Sequence, residues 1–274
     1  MIDPRAVADQ LLVARRERKA IAPFSDEHPD LDVTTAYEVQ AVFVESLVEA
    51  GERIVGAKVG LTFLGGSRRL CRGDTPRPPG RAKQEAMGVN EPLSGWLTDA
   101  MVLEPGAPVP LEALIQPRVE PEIAFLLARP LDGPATVPNV LAATEAVFAA
   151  VDVLDSRYED YRFTLPDVVA DNCSSGRFVL GPQARRPAEL EDLRLVGCVL
   201  RRRGEIVATT AGAAAMGHPA APVAWLVNRL AARGEALPAG SLVLSGGLTA
   251  PVPLAAGTSV TAEFDGLGAV DVWA

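Results

Sequence analysis

The sequence predicts a mixed α+β fold, and three observations carry that reading. Helical periodicity is concentrated near the N-terminus. Beyond about Pro108 short β-branched runs broken by turn residues take over. Those runs do not alternate regularly with helices, as a doubly wound parallel sheet would require.

Residues 1–20 read as a polar amphipathic helix. Over residues 33–50, Val39, Val42, Phe43 and Leu47 recur at helical spacing, with Thr35 and Glu38 as a capping box and Gly51 as the stop. Residues 54–59 are short and β-branched, with a glycine on each side of Lys58, and predict a strand running into a turn. Residues 63–80 combine glycines, prolines and four arginines without periodicity, so they predict a long exposed loop. Further strands are expected at 120–128, 195–201, 206–209, 241–245, 259–264 and 269–273, and helices at 138–149 and 219–233. No internal repeat or low-complexity tract is evident.

Composition narrows the function. The 274 residues are 48% apolar and 22% charged, an ordinary globular balance. Twenty-six Lys and Arg against 35 Asp and Glu leave a net charge of −9, which repels phosphate backbones and anionic lipids; neither a nucleic-acid nor a membrane partner is expected. No stretch approaches the roughly 20 apolar residues of a membrane span. The N-terminus has no apolar h-region, which points to the cytoplasm. Cys71, Cys173 and Cys198 match neither a disulfide framework nor a zinc pattern and are expected as reduced thiols.

The most informative run is QPRVEPEIAF from Gln116, because alternate residues of a strand share a face and Glu120 and Glu122 would project together. Two carboxylates on one face repel unless a cation lies between them, and a hard divalent ion is one solution. The spacing alone favours the plainer reading, two glutamates on the solvent side of a half-buried strand. Asp152 lies in an otherwise apolar stretch, where a carboxylate is costly without a partner or a metal, so it is a candidate third ligand. Nearby Asp155 and Arg157 equally fit a cap and an ion pair. Residues 167–176 are small and polar and suit a binding loop or an ordinary turn. No GxSxG surrounds Ser174, and His28 and His218 read as surface and structural, which disfavours a Ser-His-Asp hydrolase. Signatures for nicotinamide, ATP and zinc chemistry are missing. Gly246-Gly247 could bring backbone amides to an anion or simply form a turn.

Together these segments resemble the hydratase/decarboxylase group of the fumarylacetoacetate hydrolase superfamily. The residues that carry the resemblance are Lys58-Val59-Gly60-Leu61-Thr62, Met87-Gly88-Val89, QPRVEPEIAF, DSRYEDYRF from Asp155, DVVADNCSS from Asp167, GHP at Gly217 and SGGLTAPV from Ser245. It covers nearly the whole chain except residues 63–79. It implies a mixed β-roll core over residues 91–274 preceded by a smaller helical region over residues 1–90. By the same resemblance Glu120, Glu122 and Asp152 are the ligands of Mg²⁺, or of Mn²⁺ in its place, although the third position is usually glutamate. Lys58 looks like the active-site lysine and Ser174 like a pocket serine; Asp155 and Arg157 orient the pocket, and Gly247 and Thr249 bind substrate.

The implied activity is decarboxylation of 2-oxo-3-hexenedioate, a small 2-oxo dicarboxylate, to 2-hydroxypenta-2,4-dienoate and CO₂ in meta-cleavage catabolism of aromatics. Hydration of 2-hydroxypenta-2,4-dienoate and a catalytically silent binding subunit are the alternatives. Homo-oligomers and a complex with the pathway hydratase are the implied partners. Residues 63–79, with Arg68, Arg69 and Arg72, have no counterpart in the group; they read as an inert loop or as a lid, and their deletion is expected to leave activity within about tenfold.

Overall fold

The computed structural model describes residues 2–60 and 92–274. The segment 63–79, with Cys71 and its arginines, and the motif residues 61–62 and 87–89 lie outside the described residues.

Helix α1 (Pro4–Glu17) starts on Asp3, whose carboxylate accepts the Arg5 N–H at 3.0 Å. After the short α2 (Phe24–Glu27), α3 (Val33–Glu49) buries Val39, Phe43 and Leu47 as their spacing predicts. Its cap differs from the expectation: Asp32, not Thr35, is the capping residue, and its carboxylate accepts the Thr35 N–H at 2.7 Å. An aspartate one residue before the first helical position outcompetes a threonine already inside the turn. Gly51 ends the helix at φ 102°.

Strand β1 (Ile54–Gly60) runs antiparallel to β2 (Leu93–Thr98) and parallel to β8 (Leu242–Leu244). Gly56 permits the second contact, since a Cβ there would lie 1.7 Å from the Leu242 carbonyl oxygen. β3 (Arg118–Leu127) is antiparallel to β8 and to β4 (Thr144–Leu154), which pairs with β5 (Ser175–Leu180). The order is therefore β2-β1-β8-β3-β4-β5, with β9 (Val252–Pro253) on the start of β3. A second, four-stranded sheet joins β6 (Gly197–Arg202), β7 (Glu205–Ala211), β10 (Ser259–Phe264) and β11 (Gly268–Trp273) in the order β11-β10-β6-β7.

The helix expected over 138–149 stops early. Helix α4 (Val137–Ala143) gives way at Thr144 to β4. Alanines at 146, 149 and 150 suggest a helix by propensity, but in β4 they pack between two neighbouring strands with both faces covered. α5 (Leu165–Ala170) and α6 (Ala220–Ala231) complete the described helices, and α6 falls within the expected 219–233.

The larger sheet separates two cores. Val119, Ile123, Phe125 and Leu127 of β3 join Val147, Ala149, Val151 and Val153 of β4 in one, which also holds the second sheet and α6. On the opposite face Ala124 and Ala150 belong to the core built on α1, α3 and α5. Strand alternation then places Glu120, Glu122 and Asp152 on that same face.

Candidate active site

Antiparallel register brings Glu120 directly opposite Asp152 across β3 and β4, and Glu122 follows two residues along. All three are buried, Glu122 and Asp152 to within 1% of full burial. This excludes the solvent-side reading of the glutamates. Lys58, from β1, is 2% exposed and forms an ion pair with Asp152. These four side chains line a cavity of about 280 Å³ together with Arg118, Tyr161, Phe163, Cys173 and Ser174.

Two glycines set the glutamates. After β8 ends at Leu244 the chain turns at Gly246 (φ 99°), whose N–H donates to Glu122 Oε2 at 2.7 Å. Gly247 then lies so close to Glu120 that a Cβ would meet its Oε2 at 2.1 Å. Gly247 thus stands beside the Glu120 carboxylate, and neither it nor Thr249 is among the described residues lining the cavity; the Thr249 hydroxyl donates to the Ala250 carbonyl at 3.0 Å.

Residues 167–176 are not an open loop. They form the end of α5, a buried turn in which Asn172, Cys173 and Ser174 all have left-handed backbones (φ 47°, 55° and 54°), and the start of β5. Such strain persists only where surroundings over-determine it. Here the Asn172 side chain exchanges bonds of 2.8 and 2.9 Å with the Trp96 backbone. The Ser174 hydroxyl donates to Asp171 Oδ2 at 3.2 Å, and the Arg157 guanidinium pairs with Asp171. Arg157 also donates to the carbonyls of Asp155 and Ser175 at 2.7 and 2.9 Å. Asp155 accepts the N–H groups of Ile115 and Gln116 at 2.9 and 2.8 Å. Asp155 and Arg157 therefore act behind the cavity wall, holding the turn that presents Ser174. Arg118, Tyr161 and Asp171 were not singled out from sequence, although Arg118 shares the strand parity of Glu120 and Glu122.

Electrostatically the site is strained toward anion excess. Burial, then the charges of Asp152 and Glu120, push Glu122 well above the ordinary carboxylate range, with Lys58 and the Gly246 N–H opposing. Burial also raises Asp152, even against the charge of Lys58. For Lys58 burial alone would favour the neutral amine, but Asp152 and Glu122 outweigh it and hold the ammonium above its usual range. Burial raises Cys173, so its thiol is not an activated nucleophile.

The donor set fits a hard divalent cation: buried carboxylates only, with Asp152 Oδ1 lacking a hydrogen-bond partner among the described residues. As the side chains stand, no three such groups among the described residues close on one point, since Asp152 is drawn onto Lys58. Elsewhere Cys198 is also a free, buried thiol, and the His218 ring Nδ1 accepts the Ala220 N–H at 3.0 Å, a structural role at the start of α6. No helix among the described residues is long and apolar enough to cross a membrane.

Residues 76–272 match the fumarylacetoacetate (FAA) hydrolase C-terminal family. A 4-oxalocrotonate decarboxylase from Pseudomonas sp. (strain CF600) is 41% identical, over 97% of this chain and 94% of that protein. A 2-hydroxypent-2,4-dienoate hydratase from Pseudomonas putida is also 41% identical, over 82% of this chain and 94% of its own. Among solved structures, 4-oxalocrotonate decarboxylase from Pseudomonas putida G7, complexed with magnesium and adipate, superposes with a TM-score of 0.89 at 37% identity, covering 98% of this chain and 96% of that one. The curled mixed sheet with its helices is shared with that enzyme, and the chain belongs to the fumarylacetoacetate hydrolase family.

Proposed function

We propose that the chain is a divalent-metal-dependent lyase that decarboxylates 2-oxo-3-hexenedioate to 2-hydroxypenta-2,4-dienoate and CO₂. The observation that carries the reading is the placement of Glu120, Glu122, Asp152 and Lys58 in one buried cavity by strand register. The similarity to 4-oxalocrotonate decarboxylases over nearly the full chain supports the substrate class.

Glu120, Glu122 and Asp152 would hold Mg²⁺, or Mn²⁺ in its place, which when bound supplies Lewis acidity toward the carboxylate and 2-oxo oxygens of a 2-oxo acid. In the reaction the C5–C6 bond breaks, and its electron pair moves through the C3–C4 double bond to the C2 oxygen, which takes a proton. Lys58 presents its ammonium to the negative charge that builds up on the substrate. Ser174, aimed by Asp171 and Arg157, offers a hydroxyl to a substrate oxygen. Leu93, Leu154, Phe163 and Val168 supply an apolar wall that limits water around the breaking bond.

The second reading is the hydratase, favoured by the equal identity to a hydratase. Purified protein supplied with 2-oxo-3-hexenedioate and, separately, with 2-hydroxypenta-2,4-dienoate, each with Mg²⁺ and with EDTA, decides. Metal-dependent CO₂ release from the first supports the decarboxylase; consumption of the second alone supports the hydratase. Inactivity on both, with no Mg²⁺-dependent binding of oxalate, would support the silent subunit. The reading extends to a cytoplasmic homo-oligomer that can associate with the pathway hydratase, which light scattering with and without that hydratase tests.

A further inference from the structure

Lys58 is one cation of the cavity, paired with Asp152 and assigned above to the charge that builds up on the substrate during the reaction. Arg118 lines the same cavity and has no carboxylate partner among the described residues. Its guanidinium carbon lies 3.9 Å from the centroid of the Tyr161 ring. That ring is delivered by a tight turn in which Asp160 and Tyr161 are both left-handed (φ 55° and 58°), a conformation maintained at a cost. Stacking fixes the plane of the guanidinium while leaving its N–H groups available for a carboxylate.

Placement agrees with substrate length. Arg118 shares a strand face with Glu120 at an α-carbon spacing of about 7 Å. An extended six-carbon diacid separates its carboxyl carbons by about 6 Å. A molecule whose oxo-acid end lies at Glu120, Glu122 and Asp152 is therefore long enough for its far end to reach Arg118, with Leu154 and Phe163 also on the cavity wall.

We propose that Arg118, stacked on Tyr161, receives the distal carboxylate of the substrate and makes this site select dicarboxylates over monocarboxylates. The inference rests on the decarboxylase reading for the orientation of the substrate. It also implies a kinetic signature: the carboxylate held by Arg118 is the one that leaves, and its charge disperses in the transition state. Arg118 thus contributes more to binding than to the chemical step.

The test compares adipate, hexanoate and oxalate as ligands of the Mg²⁺-loaded protein by calorimetry. Wild type should bind adipate at least about tenfold more tightly than hexanoate, the scale of one charge-assisted bond. R118Q should bring that ratio near one and leave oxalate binding unchanged, whereas R118K should keep part of the preference. On 2-oxo-3-hexenedioate, R118Q should raise KM by about 10- to 100-fold with kcat unchanged or raised, because the lost contact is stronger in the bound substrate than in the transition state. A wild-type ratio near one, or a preference that survives in R118Q, overturns the proposal. Should R118Q fail to fold, Y161L, which removes the ring and keeps the charge, must still weaken the preference, and an unchanged ratio there overturns it equally. Adipate preference that depends on Arg118 but is indifferent to EDTA, with no oxalate binding, would sustain the role of Arg118 and remove the metal-dependent reading instead.

Discussion

Replacing Gly247 by alanine should damage function far more than stability. Gly247 does not have a left-handed backbone, so alanine is conformationally acceptable, unlike at Gly246. The new methyl would lie 2.1 Å from Glu120 Oε2, 2.7 Å from its Cδ and 3.3 Å from Oε1. Ordinary contact needs about 3.5 Å, so the carboxylate must move by about 1 Å or more. Because the displaced group is the end of a flexible side chain, the stability cost should sit at the low end of overpacking, about 1 kcal/mol. A reacting constellation misplaced by about 1 Å loses about 100-fold in rate, equivalent to about 2.7 kcal/mol. The assay is kcat/KM for CO₂ release against Mg²⁺ concentration, alongside thermal melting of the same samples. Wild-type Mg²⁺ dependence and activity in G247A would refute the argument that this glycine makes room for Glu120. So would a large loss of stability with metal affinity intact.

Three further outcomes follow from burial and charge. K58M leaves Asp152 and Glu122 without their cation, and breaking a buried pair costs about 3–5 kcal/mol; Mg²⁺ should therefore restore more stability to K58M than it adds to wild type, and equal increments in urea melts would contradict this. G56A drives a Cβ into the Leu242 backbone rather than into a side chain, so it should destabilise by about 3 kcal/mol or more, and a melt like wild type would show that β1 and β8 are not so closely paired. Burial pushes Asp171 up to about 6 despite the opposing charge of Arg157. Since this folded-state value lies above the ordinary 3.8, the carboxylate costs stability at neutral pH, and the cost is relieved as pH falls through about 6 toward that ordinary value. The Asp171 carboxyl carbon followed by NMR should titrate near pH 6, and a midpoint below the ordinary 3.8 would show that Arg157 outweighs burial.

Much of the architecture was legible because it rests on local pattern. Val39, Phe43 and Leu47 marked α3, and the strand expected over residues 120–128, found at 118–127, put Glu120 and Glu122 on one face before any strand partner was known. What alternation could not supply was register: only the pairing of Glu120 with Asp152 makes the third carboxylate a neighbour. Nor could propensity place β4, whose alanines favour a helix until two flanking strands bury them. Strands β2 and β5 were missed; Ser94, Gly95, Ser175 and Gly176 are weak strand formers, held there by pairing to β1 and β4. Gly246-Gly247 reads from sequence as amides near an anion or as a turn; the chain does turn at Gly246, and the anions beside it are the protein's own glutamates. Asp155 and Arg157 were drawn toward the pocket by their motif, whereas their bonds run to the backbone around Ser174 and residues 115–116.

Among the described residues the site sets three buried carboxylates beside Arg118 and the paired Lys58, and burial with the neighbouring carboxylates pushes Glu122 well above its ordinary range, which a neutral ligand would not relieve and a divalent cation would. Titration of Mn²⁺ followed by electron paramagnetic resonance, on wild type and E122Q side by side, measures that directly. One tightly bound ion per chain in wild type, lost or weakened by 100-fold or so in E122Q, is the predicted result. Equal binding by the two proteins, or none by wild type, would contradict the assignment of Glu120, Glu122 and Asp152 as the metal site.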